Sequence, residues 1–523
     1  MGKRPNIVFI LTDDQGVWSL GCYGNREVIA PSLDKLAEEG VVFDNFFCTS
    51  PVCSPARASI LTGLLPSQHG VVDWLAGGSI RKKDYEDIQV NLKRIASNLA
   101  KPVENLEDYP DDATVSFKET VSYQKYMPHE DEPIEYLKEF TGYTDVLVEN
   151  GYVCGLTGKW HLGDSIHPQK GMTFWRTIAR GGTQYMCPEY VRDSKLSIGE
   201  KYVTDQITDD ALEFLERQAG SDVPFYLSIH YTAPHDPWEK DDQPQEVWNL
   251  YNDCPFDSVP IEPLNPTQYK ANPHATSKEQ RRYMLQGYYT TITAMDRGIG
   301  RIVEKLEKLG MKEDTILVFT SDNGFNMGHH GIWGKGNGTL PFNMFDTSVK
   351  VPMIVSGYRK NARCDELVSQ YDVFQTILDM AGIDQSRYLK ENMPGTSFLP
   401  LLTGEKQQVR DDVVIYDEYG SVRMIRTKEY KYVCRIPGGP DELYDLKNDP
   451  GERNNLIDNP DMRQLKIQLN WQLTQWFNRY VDPRYDASRL PMPTRLEEGK
   501  NIKTGQCNRI EELHSSNVVF PMF

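Results

Sequence analysis

The sequence lacks any apolar run that could cross a membrane. Its longest apolar stretch near the start, Ile7-Val8-Phe9-Ile10-Leu11, falls far short of the roughly 20 residues of a bilayer-spanning helix. It suits a strand core better than the apolar part of a signal peptide, so we expect no membrane partner. As given, the chain has no export signal, which predicts a cytoplasmic protein. A leader removed ahead of residues 1–4 would instead make it periplasmic or secreted, so the localisation stays unknown.

Positive charge is also scarce. The 523 residues include 57 Lys and Arg against 75 Asp and Glu, which gives a net charge of −18. Such an acidic chain is a poor match for nucleic acid or for an anionic lipid surface, so we expect no nucleic-acid partner. An anionic small molecule is still an acceptable substrate, because a small pocket can be locally positive on an acidic protein.

Two common site patterns are missing as well. The nine cysteines are scattered without a CxxC pair, so neither a disulfide framework nor a zinc site is indicated. Gly158-Lys159 lacks the preceding glycine of a phosphate-binding Walker loop and is followed by Trp160.

What the chain does have is a regular alternation of strand-length apolar runs with amphipathic helical patterns. This alternation is typical of an α/β sandwich with a mostly parallel or mixed sheet. Strands are predicted at 6–12, 153–157, 225–230, 315–321 and 351–355, and helices at 31–39, 135–149, 204–218, 278–309 and 371–381.

The chain is too long for one compact core. We predict a large α/β domain over residues 1–405 and a smaller C-terminal α+β subdomain over 406–523. The subdomain is expected to contain an irregular tail, a helix at 462–480 and a short antiparallel sheet with strands at 422–426, 430–435 and 442–446. Two polar stretches, roughly 75–134 and 236–276, look like long insertions that either form binding loops or elaborate the surface.

Two acidic pairs, Asp13-Asp14 and Asp322-Asn323, each follow a predicted strand. Either pair alone is adequately explained as a helix cap or a solvated turn. Open α/β sheets, however, place their ligands beyond the carboxyl ends of the strands. Three carboxylates and one amide oxygen make a hard, all-oxygen site, which suits Ca²⁺ or Mg²⁺ and not zinc.

The most constrained pattern in the chain is Cys53-Ser54-Pro55-Ala56-Arg57, which continues to Thr62-Gly63. It resembles the signature at which sulfatases have a cysteine oxidised to formylglycine, an aldehyde-bearing residue that attacks sulfate esters. A lone cysteine is usually a buried, inert thiol, but the length of this pattern makes that explanation the weaker one.

The resemblance to the sulfatase family extends along the chain, and its blocks come in family order. They are residues 5–15, Gly158-Lys159-Trp160-His161-Leu162-Gly163, Ala233-Pro234-His235, Ser321-Asp322-Asn323-Gly324, Gly331-Ile332-Trp333-Gly334-Lys335 and Glu442-Leu443-Tyr444-Asp445-Leu446. The resemblance implies the alkaline-phosphatase-like fold, with a large mixed central sheet between helices, one divalent cation and hydrolysis of sulfate monoesters.

The resemblance also implies a role for each residue of the site. The catalytic set is Cys53, Arg57, Lys159, His161, His235 and Lys335, and the metal set is Asp13, Asp14, Cys53, Asp322 and Asn323. The formylglycine from Cys53 attacks sulfur as its hydrate, which Arg57 holds and the cation contacts.

The remaining roles concern sulfate binding and proton transfer. The resemblance implies that Lys159 and Lys335 clamp the sulfate oxygens. His235 protonates the leaving oxygen, with Lys335 as a candidate helper, and His161 takes up the proton whose loss lets sulfate depart.

Two other functions stay open at the level of sequence. A phosphonate monoester or phosphodiester hydrolase of the same superfamily is the nearest alternative, although such relatives tend to have Asp-His where this chain has Asp322-Asn323. The second is a catalytically inactive, sulfatase-like binding protein. That protein would have lost at least one residue of the catalytic set, and this chain has them all.

For the substrate we favour a sulfated carbohydrate over a simpler sulfated small molecule. Aromatic residues in the insertions and their approaches are candidates to stack on sugar rings, namely Trp74, Tyr85, Tyr109, Trp238, Trp248 and Tyr251. The expected protein partner is a formylglycine-generating enzyme or an anaerobic maturation enzyme.

Overall fold

The first strand shows how the fold is layered. In the computed structural model of the protein, strand β1 (Asn6–Thr12) is buried along its whole length. Ile7, Phe9 and Leu11 pack into one hydrophobic cluster, whereas Val8 and Ile10 pack into another. Successive side chains of a strand point to opposite faces, so both faces of the sheet are covered. The structure describes residues 4–127, 132–270, 272–418, 421–436, 438–481 and 486.

Strands and helices alternate along the described chain. In chain order the strands are β1, β2 (Gly40–Phe43), β3 (Phe46–Phe47), β4 (Gln89–Asn91), β5 (Thr114–Ser116), β6 (Val153–Gly158), β7 (Phe174–Ile178), β8 (Glu189–Arg192), β9 (Lys195–Ile198), β10 (Phe225–His230), β11 (Thr315–Ser321), β12 (Asn326–Met327), β13 (Trp333–Gly334), β14 (Met353–Ser356), β15 (Ala362–Cys364), β16 (Val368–Ser369), β17 (Val413–Asp417), β18 (Val422–Arg426), β19 (Tyr430–Arg435) and β20 (Glu442–Asp445). The α-helices are α1 (Pro31–Glu38), α2 (Cys53–Thr62), α3 (Pro66–His69), α4 (Leu92–Ile95), α5 (Val121–Tyr126), α6 (Tyr143–Glu149), α7 (Val203–Gln218), α8 (Gln245–Trp248), α9 (Lys278–Lys308), α10 (Asp346–Val349), α11 (Val373–Met380), α12 (Leu399–Thr403) and α13 (Arg463–Tyr480).

The central sheet is mixed and lies between two layers of helices. Its strand order is β15-β2-β14-β11-β1-β10-β6-β7-β8-β9. The central strands β11, β1, β10, β6 and β7 run parallel, whereas β14 and β8 are antiparallel to them. Helices α1, α7 and α9 pack on one face, and α2, α6 and α11 on the other. The predicted α/β fold with a large mixed sheet between helices is therefore confirmed.

Two predicted elements are wrong in part. The helix predicted at 135–149 begins only at Tyr143, after the extended Gly142. Before it, Glu135 forms an isolated bridge to Gly163, so the apolar spacing there comes from irregular chain packed on the core. The strand predicted at 351–355 begins at Met353, because Pro352 has no N–H to offer a sheet. The other predicted elements agree with the structure to within two residues.

The C-terminal part forms a sheet of its own. Strands β17 to β20 make a four-stranded antiparallel sheet in sequence order, and α13 packs on it. The sequence did not predict β17. The predicted irregular tail lies outside the described residues, apart from Asp486, and the domain boundary between 405 and 406 stays a prediction.

The first insertion carries a small core of its own. It contains the β4–β5 hairpin and a separate apolar cluster, in which Tyr85 stacks on Phe117 with ring centroids 5.3 Å apart. None of the helices in the described ranges is long and apolar enough to span a bilayer.

Candidate active site

The carboxyl ends of four neighbouring strands gather residues that are far apart in sequence. The turns after β1, β6, β10 and β11 carry the two acidic pairs, Lys159, His161 and His235, at the strand ends where open α/β sheets place their ligands. Lys335 follows the short strand β13, and Cys53 and Arg57 come from α2. The structure therefore brings every predicted site residue into one region.

The helix α2 positions Cys53 at its first residue. Pro55 lies in the first turn, where its missing N–H has no intrahelical partner to lose, and Gly63 ends the helix with φ +66°. All ten residues of the helix are buried, so the sequence has no amphipathic pattern from which this helix could be predicted. Cys53 thus lies at the positive end of the helix dipole, and Arg57 follows one turn later on the same side.

Arg57 ties this helix to the strand ends. Its Nε donates to Oδ2 of Asp322 at 2.8 Å, and its Nη1 donates to the carbonyl oxygen of Lys159 at 3.0 Å. A third contact, from Nη2 to Oδ2 of Asp13, is longer at 3.8 Å. The guanidinium is therefore held from two strands at once.

Two oxygen atoms in the acidic cluster have the properties of metal ligands. Asn323 donates through Nδ2 to Oδ1 of Asp14 at 2.6 Å and to the carbonyl oxygen of Gly324 at 2.9 Å. These bonds fix the amide, and its Oδ1 accepts no hydrogen bond from the described residues; the same holds for Oδ1 of Asp13. Buried acceptors without donors are rare in proteins, so a cation is the natural partner for this pair.

The geometry supports a divalent cation at this position. Oxygen or nitrogen atoms of Asp13, Asp14 and His235 lie within 4.8 Å of one another. Asp322 is already engaged, since its Oδ1 accepts from the backbone N–H groups of Asp14 and Asn323. A carboxylate has about four lone-pair sites, so these bonds leave Asp322 able to serve a metal as well. The residues present fit a hard cation.

Two lysines face the acidic pair. Nζ of Lys159 donates to Oδ2 of Asp13, and Nζ of Lys335 donates to Oδ1 of Asp14 at 2.6 Å. Burial works against the charged carboxylate, but the surrounding cations, Lys159 foremost, hold the pKa of Asp13 well below its usual range. Burial likewise opposes the charge on Lys335, yet Asp14 raises the pKa of that lysine well above its ordinary value. Asp13 and Lys335 are therefore both charged at neutral pH.

His161 is set up as a neutral base. Its Nε2 lies 3.1 Å from the carbonyl oxygen of Leu75, and because a carbonyl only accepts, Nε2 carries the proton. Burial, with the nearby cations of Lys159 and Arg57, holds the pKa of His161 well below its usual range. The other nitrogen, Nδ1, accepts no hydrogen bond from the described residues, so its lone pair is available.

His235 is the opposite case. Burial disfavours its charged form, but the carboxylates of Asp236, Asp13 and Asp14 outweigh burial and raise the pKa of His235 to about 10. Its Nδ1 lies 2.8 Å from Oδ1 of Asp236, and its Nε2 lies 3.6 Å from Oδ2 of Asp14. The two histidines are therefore a neutral one and a protonated one, which is how acid and base roles are separated at a single pH.

A cavity of about 420 Å³ opens onto these residues. Its wall includes Cys53, Lys159, His161, His235 and Lys335. Further lining residues come from both insertions and from the loops around them, namely Asp73, Trp74, Lys125, Arg180, Trp238, Tyr269 and Asn272.

The aromatic residues proposed for sugar stacking divide into two groups. Trp74 and Trp238 line the cavity. Tyr85, Trp248 and Tyr251 are buried away from the cavity wall, where they form apolar contacts within the insertions. Their proposed stacking role is therefore wrong. Tyr109 is exposed but does not belong to the cavity wall.

Asp73, Arg180 and Asp236 are among the polar residues of the site that were not predicted from the sequence. Asp73 and Arg180 line the cavity without belonging to any recognisable pattern, so no signal could have found them. Asp236 was within reach, because it adjoins His235 in sequence and binds its ring.

Family models and relatives agree over most of the chain. A family model described as Sulfatase matches residues 5–93 and 118–383, and one described as N-sulphoglucosamine sulphohydrolase, C-terminal, matches residues 328–479. An ulvan-active sulfatase from Formosa agariphila is 26% identical over 497 residues, covering 90% of this chain and 81% of that protein. An N-acetylglucosamine-6-O-sulfatase from Bacteroides thetaiotaomicron is 25% identical over 559 residues, covering 92% and 87%.

Solved structures share the fold. One, in complex with its substrate D-glucosamine-2-N,6-O-disulfate, superimposes with a TM-score of 0.70 at 22% identity and covers 94% of this chain and 100% of that chain. Another, in complex with a κ-ι-κ-neocarrahexaose, has a TM-score of 0.63 at 20% identity, with coverage of 93% and 100%. These likenesses confirm the predicted alkaline-phosphatase-like fold.

Proposed function

Because this chain belongs to the sulfatase family and is a sulfuric ester hydrolase, we propose that it desulfates a sulfated carbohydrate by means of a formylglycine formed from Cys53. One observation carries the proposal. Cys53 begins a buried helix on the wall of the cavity, in company with two lysines, two oppositely protonated histidines and an unsatisfied oxygen cluster. An enzyme that used Cys53 as an unmodified thiol would not require all of these groups.

Formylglycine supplies, as its hydrate, one hydroxyl that attacks sulfur and a second whose deprotonation expels sulfate without a separate hydrolysis. Arg57 holds the start of α2 against the strand ends through Asp322 and the Lys159 carbonyl oxygen. Its role in the proposal is to fix the nucleophile beside the acidic cluster. Precise placement of reacting groups contributes a large part of catalysis.

We propose Ca²⁺ as the bound ion, held by Asp13, Asp14, Asp322, Asn323 and the modified Cys53. The all-oxygen donor set suits Ca²⁺, with Mg²⁺ as the alternative. When bound, such a cation stabilises negative charge and makes a coordinated hydroxyl more acidic. Asp13 and Asn323 are the strongest members of the set, since each offers a buried oxygen that lacks a hydrogen-bond donor among the described residues.

Lys159 and Lys335 are proposed to bind the sulfate group. Their charges are sustained by Asp13 and Asp14, and both lysines line the cavity. A sulfate ester in its transition state spreads negative charge over the sulfuryl and leaving oxygens. Fixed positive charges aimed at that position stabilise it.

The two histidines are proposed to transfer the protons of the reaction, one to the departing alcohol and one from the formylglycine hydrate. His235, protonated because of Asp236 and the acidic pair, donates to the oxygen of the departing alcohol. His161 accepts a proton at Nδ1, which is bare because Nε2–H is committed to Leu75. Each role matches the protonation state that the surroundings impose.

The carbohydrate part of the proposal rests on the cavity wall and on the relatives. Trp74 and Trp238 give the wall aromatic faces, and aromatic faces are suited to packing against sugar rings. The relatives named for an activity on a sugar or polysaccharide align over about nine tenths of this chain. The phosphonate or phosphodiester alternative is not favoured, because the matching proteins are sulfatases.

The test begins with the mass of the peptide that contains Cys53, on protein produced together with a formylglycine-generating or anaerobic maturation enzyme. We expect an aldehyde that reacts with a hydrazide, and loss of sulfatase activity in Cys53→Ala but not in the control Cys254→Ser, whose thiol lies in the second insertion. An unmodified thiol despite a competent partner would refute the nucleophile. A panel of sulfated saccharides that stays inert while an aryl sulfate is hydrolysed would refute the carbohydrate substrate.

A further inference from the structure

Arg180 is a buried cation on the cavity wall that the proposed chemistry does not use. It follows β7 by two residues and is 6% exposed, and it lines the cavity together with Cys53 and His161. The next residue, Gly181, packs on the imidazole of His161, where an added Cβ would lie 2.2 Å from Nε2. Arg180 therefore stands directly beside the reacting region.

The guanidinium is fixed by an ion pair and by the first insertion. Nη2 of Arg180 donates to Oε1 and Oε2 of Glu189 at 2.5 and 2.7 Å. Glu189 is the first residue of β8, and its Oε2 also accepts from the hydroxyl of the buried Tyr85. A side chain held in this way loses little freedom when it binds a ligand, which favours affinity.

Arg180 is separate from the groups assigned to the hydrolysed sulfate. Lys159 and Lys335 pair with the acidic cluster at the strand ends, whereas Arg180 pairs with Glu189 on β8. A guanidinium presents five N–H donors in one plane, a geometry that matches carboxylate and sulfate oxygens.

A second arginine, on β7 itself, shows that burial alone does not place a cation on the wall. Arg176 lies within β7, is 5% exposed and pairs with Asp193 at 2.8 Å. Arg176 is not among the cavity-lining residues. The wall position of Arg180 is therefore a specific feature of the loop after β7, and Lys125 adds a further positive side chain to the same lining.

We infer that Arg180 binds a second anionic group of the saccharide that carries the hydrolysed sulfate, and so selects doubly anionic saccharides. This inference rests on the proposed function. The shared chemistry is a planar or tetrahedral oxyanion, supplied by the carboxylate of a uronic acid or by a second sulfate.

The test compares kcat/KM for three substrates built on one sulfated hexosamine. The first is the singly sulfated hexosamine, the second carries an additional sulfate, and the third is joined to a uronic acid. We expect wild-type protein to favour at least one of the doubly anionic substrates over the first. In Arg180→Gln this ratio should fall by about 10- to 100-fold, the usual range for a hydrogen bond to a charged group, and Arg180→Lys should keep an intermediate ratio.

The ratio separates recognition from a structural role. If Arg180 only supported the fold, Arg180→Gln would slow all three substrates alike, and an unchanged ratio would overturn the inference. The absence of any preference in the wild type would overturn it too. Arg176→Gln is the matched control and should leave the ratio as it is.

The same assay distinguishes this inference from the proposed function. Hydrolysis of an aryl sulfate, abolished in Cys53→Ala, reports on the sulfatase chemistry without any second anion. An active enzyme with an Arg180-independent ratio would refute only the inference, whereas a wild type that is inert toward every sulfate ester would refute both.

Discussion

Arg57 and Asp322 meet inside the protein, with Nε of the arginine 2.8 Å from Oδ2 of the aspartate and each side chain at most 1% exposed. The pair joins the helix that begins with Cys53 to the end of β11. Breaking a buried ion pair from one side leaves a charge without a partner, which costs about 3 to 5 kcal/mol. We expect Arg57→Met to lower the free energy of unfolding by about that amount, measured by denaturant titration in the presence of a chelator.

A double-mutant cycle checks the cause. In Arg57→Met combined with Asp322→Asn, neither charge remains, so the double variant should be destabilised by clearly less than the sum of the single changes. If the losses in the free energy of unfolding were additive, Arg57 and Asp322 would not interact energetically.

Asn323 should control calcium binding. Its Oδ1 is buried and accepts no hydrogen bond from the described residues, while Nδ2 is held by two acceptors. Asn323→Ala removes this oxygen, and we expect the calcium affinity of chelator-treated protein to fall at least about 10-fold, measured by calorimetry.

Asp296→Asn is the control for a buried polar change elsewhere. Asp296 accepts from the backbone N–H groups of Ser32 and Leu33 near the start of α1. The Asp296→Asn variant should bind calcium with the same affinity as the wild type. An unaltered calcium affinity in Asn323→Ala would contradict the ligand assignment.

His235 should matter most for poor leaving groups. General acid catalysis contributes about 10²- to 10⁴-fold, but a phenolate departs with little help from a proton. His235→Ala should therefore lose a factor of that size in kcat on a sugar sulfate and much less on an activated aryl sulfate. Equal losses on both substrates would argue against proton donation by this residue.

The proposed role of His235 as a proton donor also predicts the direction in which kcat changes with pH. His235 donates a proton only while it is charged, so kcat on a sugar sulfate should fall as the pH rises. Asp236, Asp13 and Asp14 outweigh burial and raise the pKa of His235 to about 10. A bound cation shares the charge of Asp13 and Asp14, so the fall should be centred below that value. His161, held neutral by burial and nearby cations, should contribute no acid limb near neutral pH.

Glu452 should make stability depend on pH. It is buried with Lys431, whose Nζ also donates to Oδ1 of Asp346 at 2.5 Å. Burial and the neighbouring Asp346 raise the pKa of Glu452 from 4.5 to about 7, although Lys431 opposes the shift. Between these values the folded protein holds a proton that the unfolded chain releases. The free energy of unfolding should therefore decrease as the pH rises from 4.5 to 7.

Glu452→Gln should flatten this slope by an amount on the order of 3 kcal/mol across the window, in denaturant titrations at several pH values. Part of the slope should remain, because burial also raises the pKa of Asp242 to about 7 and that of Asp372 to about 6. Glu429→Gln, at an exposed position in the turn between β18 and β19, is the control. A slope that Glu452→Gln leaves untouched would contradict the assignment.

Local patterns predicted the elements that carry a continuous apolar run of strand length or a one-sided helical period. Strand β1 has such a run and helix α9 such a period, and both agree with their predicted bounds to within a residue. Helix α2 escaped prediction since it is buried on every side and so has no period to detect. The start of α6 was missed because its predecessor packs on the core as irregular chain.

The residues of the site likewise divide into those that a local pattern predicts and those that it does not. Asp13 and Asp322 could be predicted because each follows a recognisable strand, and Lys159 and His235 because each belongs to a family block. Arg180 could not, since its place on the wall depends on Glu189, nine residues on, and on a tyrosine from an insertion. Wall residues of this kind are fixed by tertiary contacts and not by a local pattern.

If Cys53 is converted to formylglycine as proposed, the complete burial of α2 sets an order of events for the nascent protein. An enzyme that oxidises Cys53 must contact the surrounding pattern, yet Pro55 and Arg57 are enclosed once the helix has packed. Conversion and folding therefore compete for the same segment, and the oxidation has to finish first. A variant that folds faster would contain a smaller fraction of molecules with converted Cys53. The folding rate therefore sets the fraction of active enzyme.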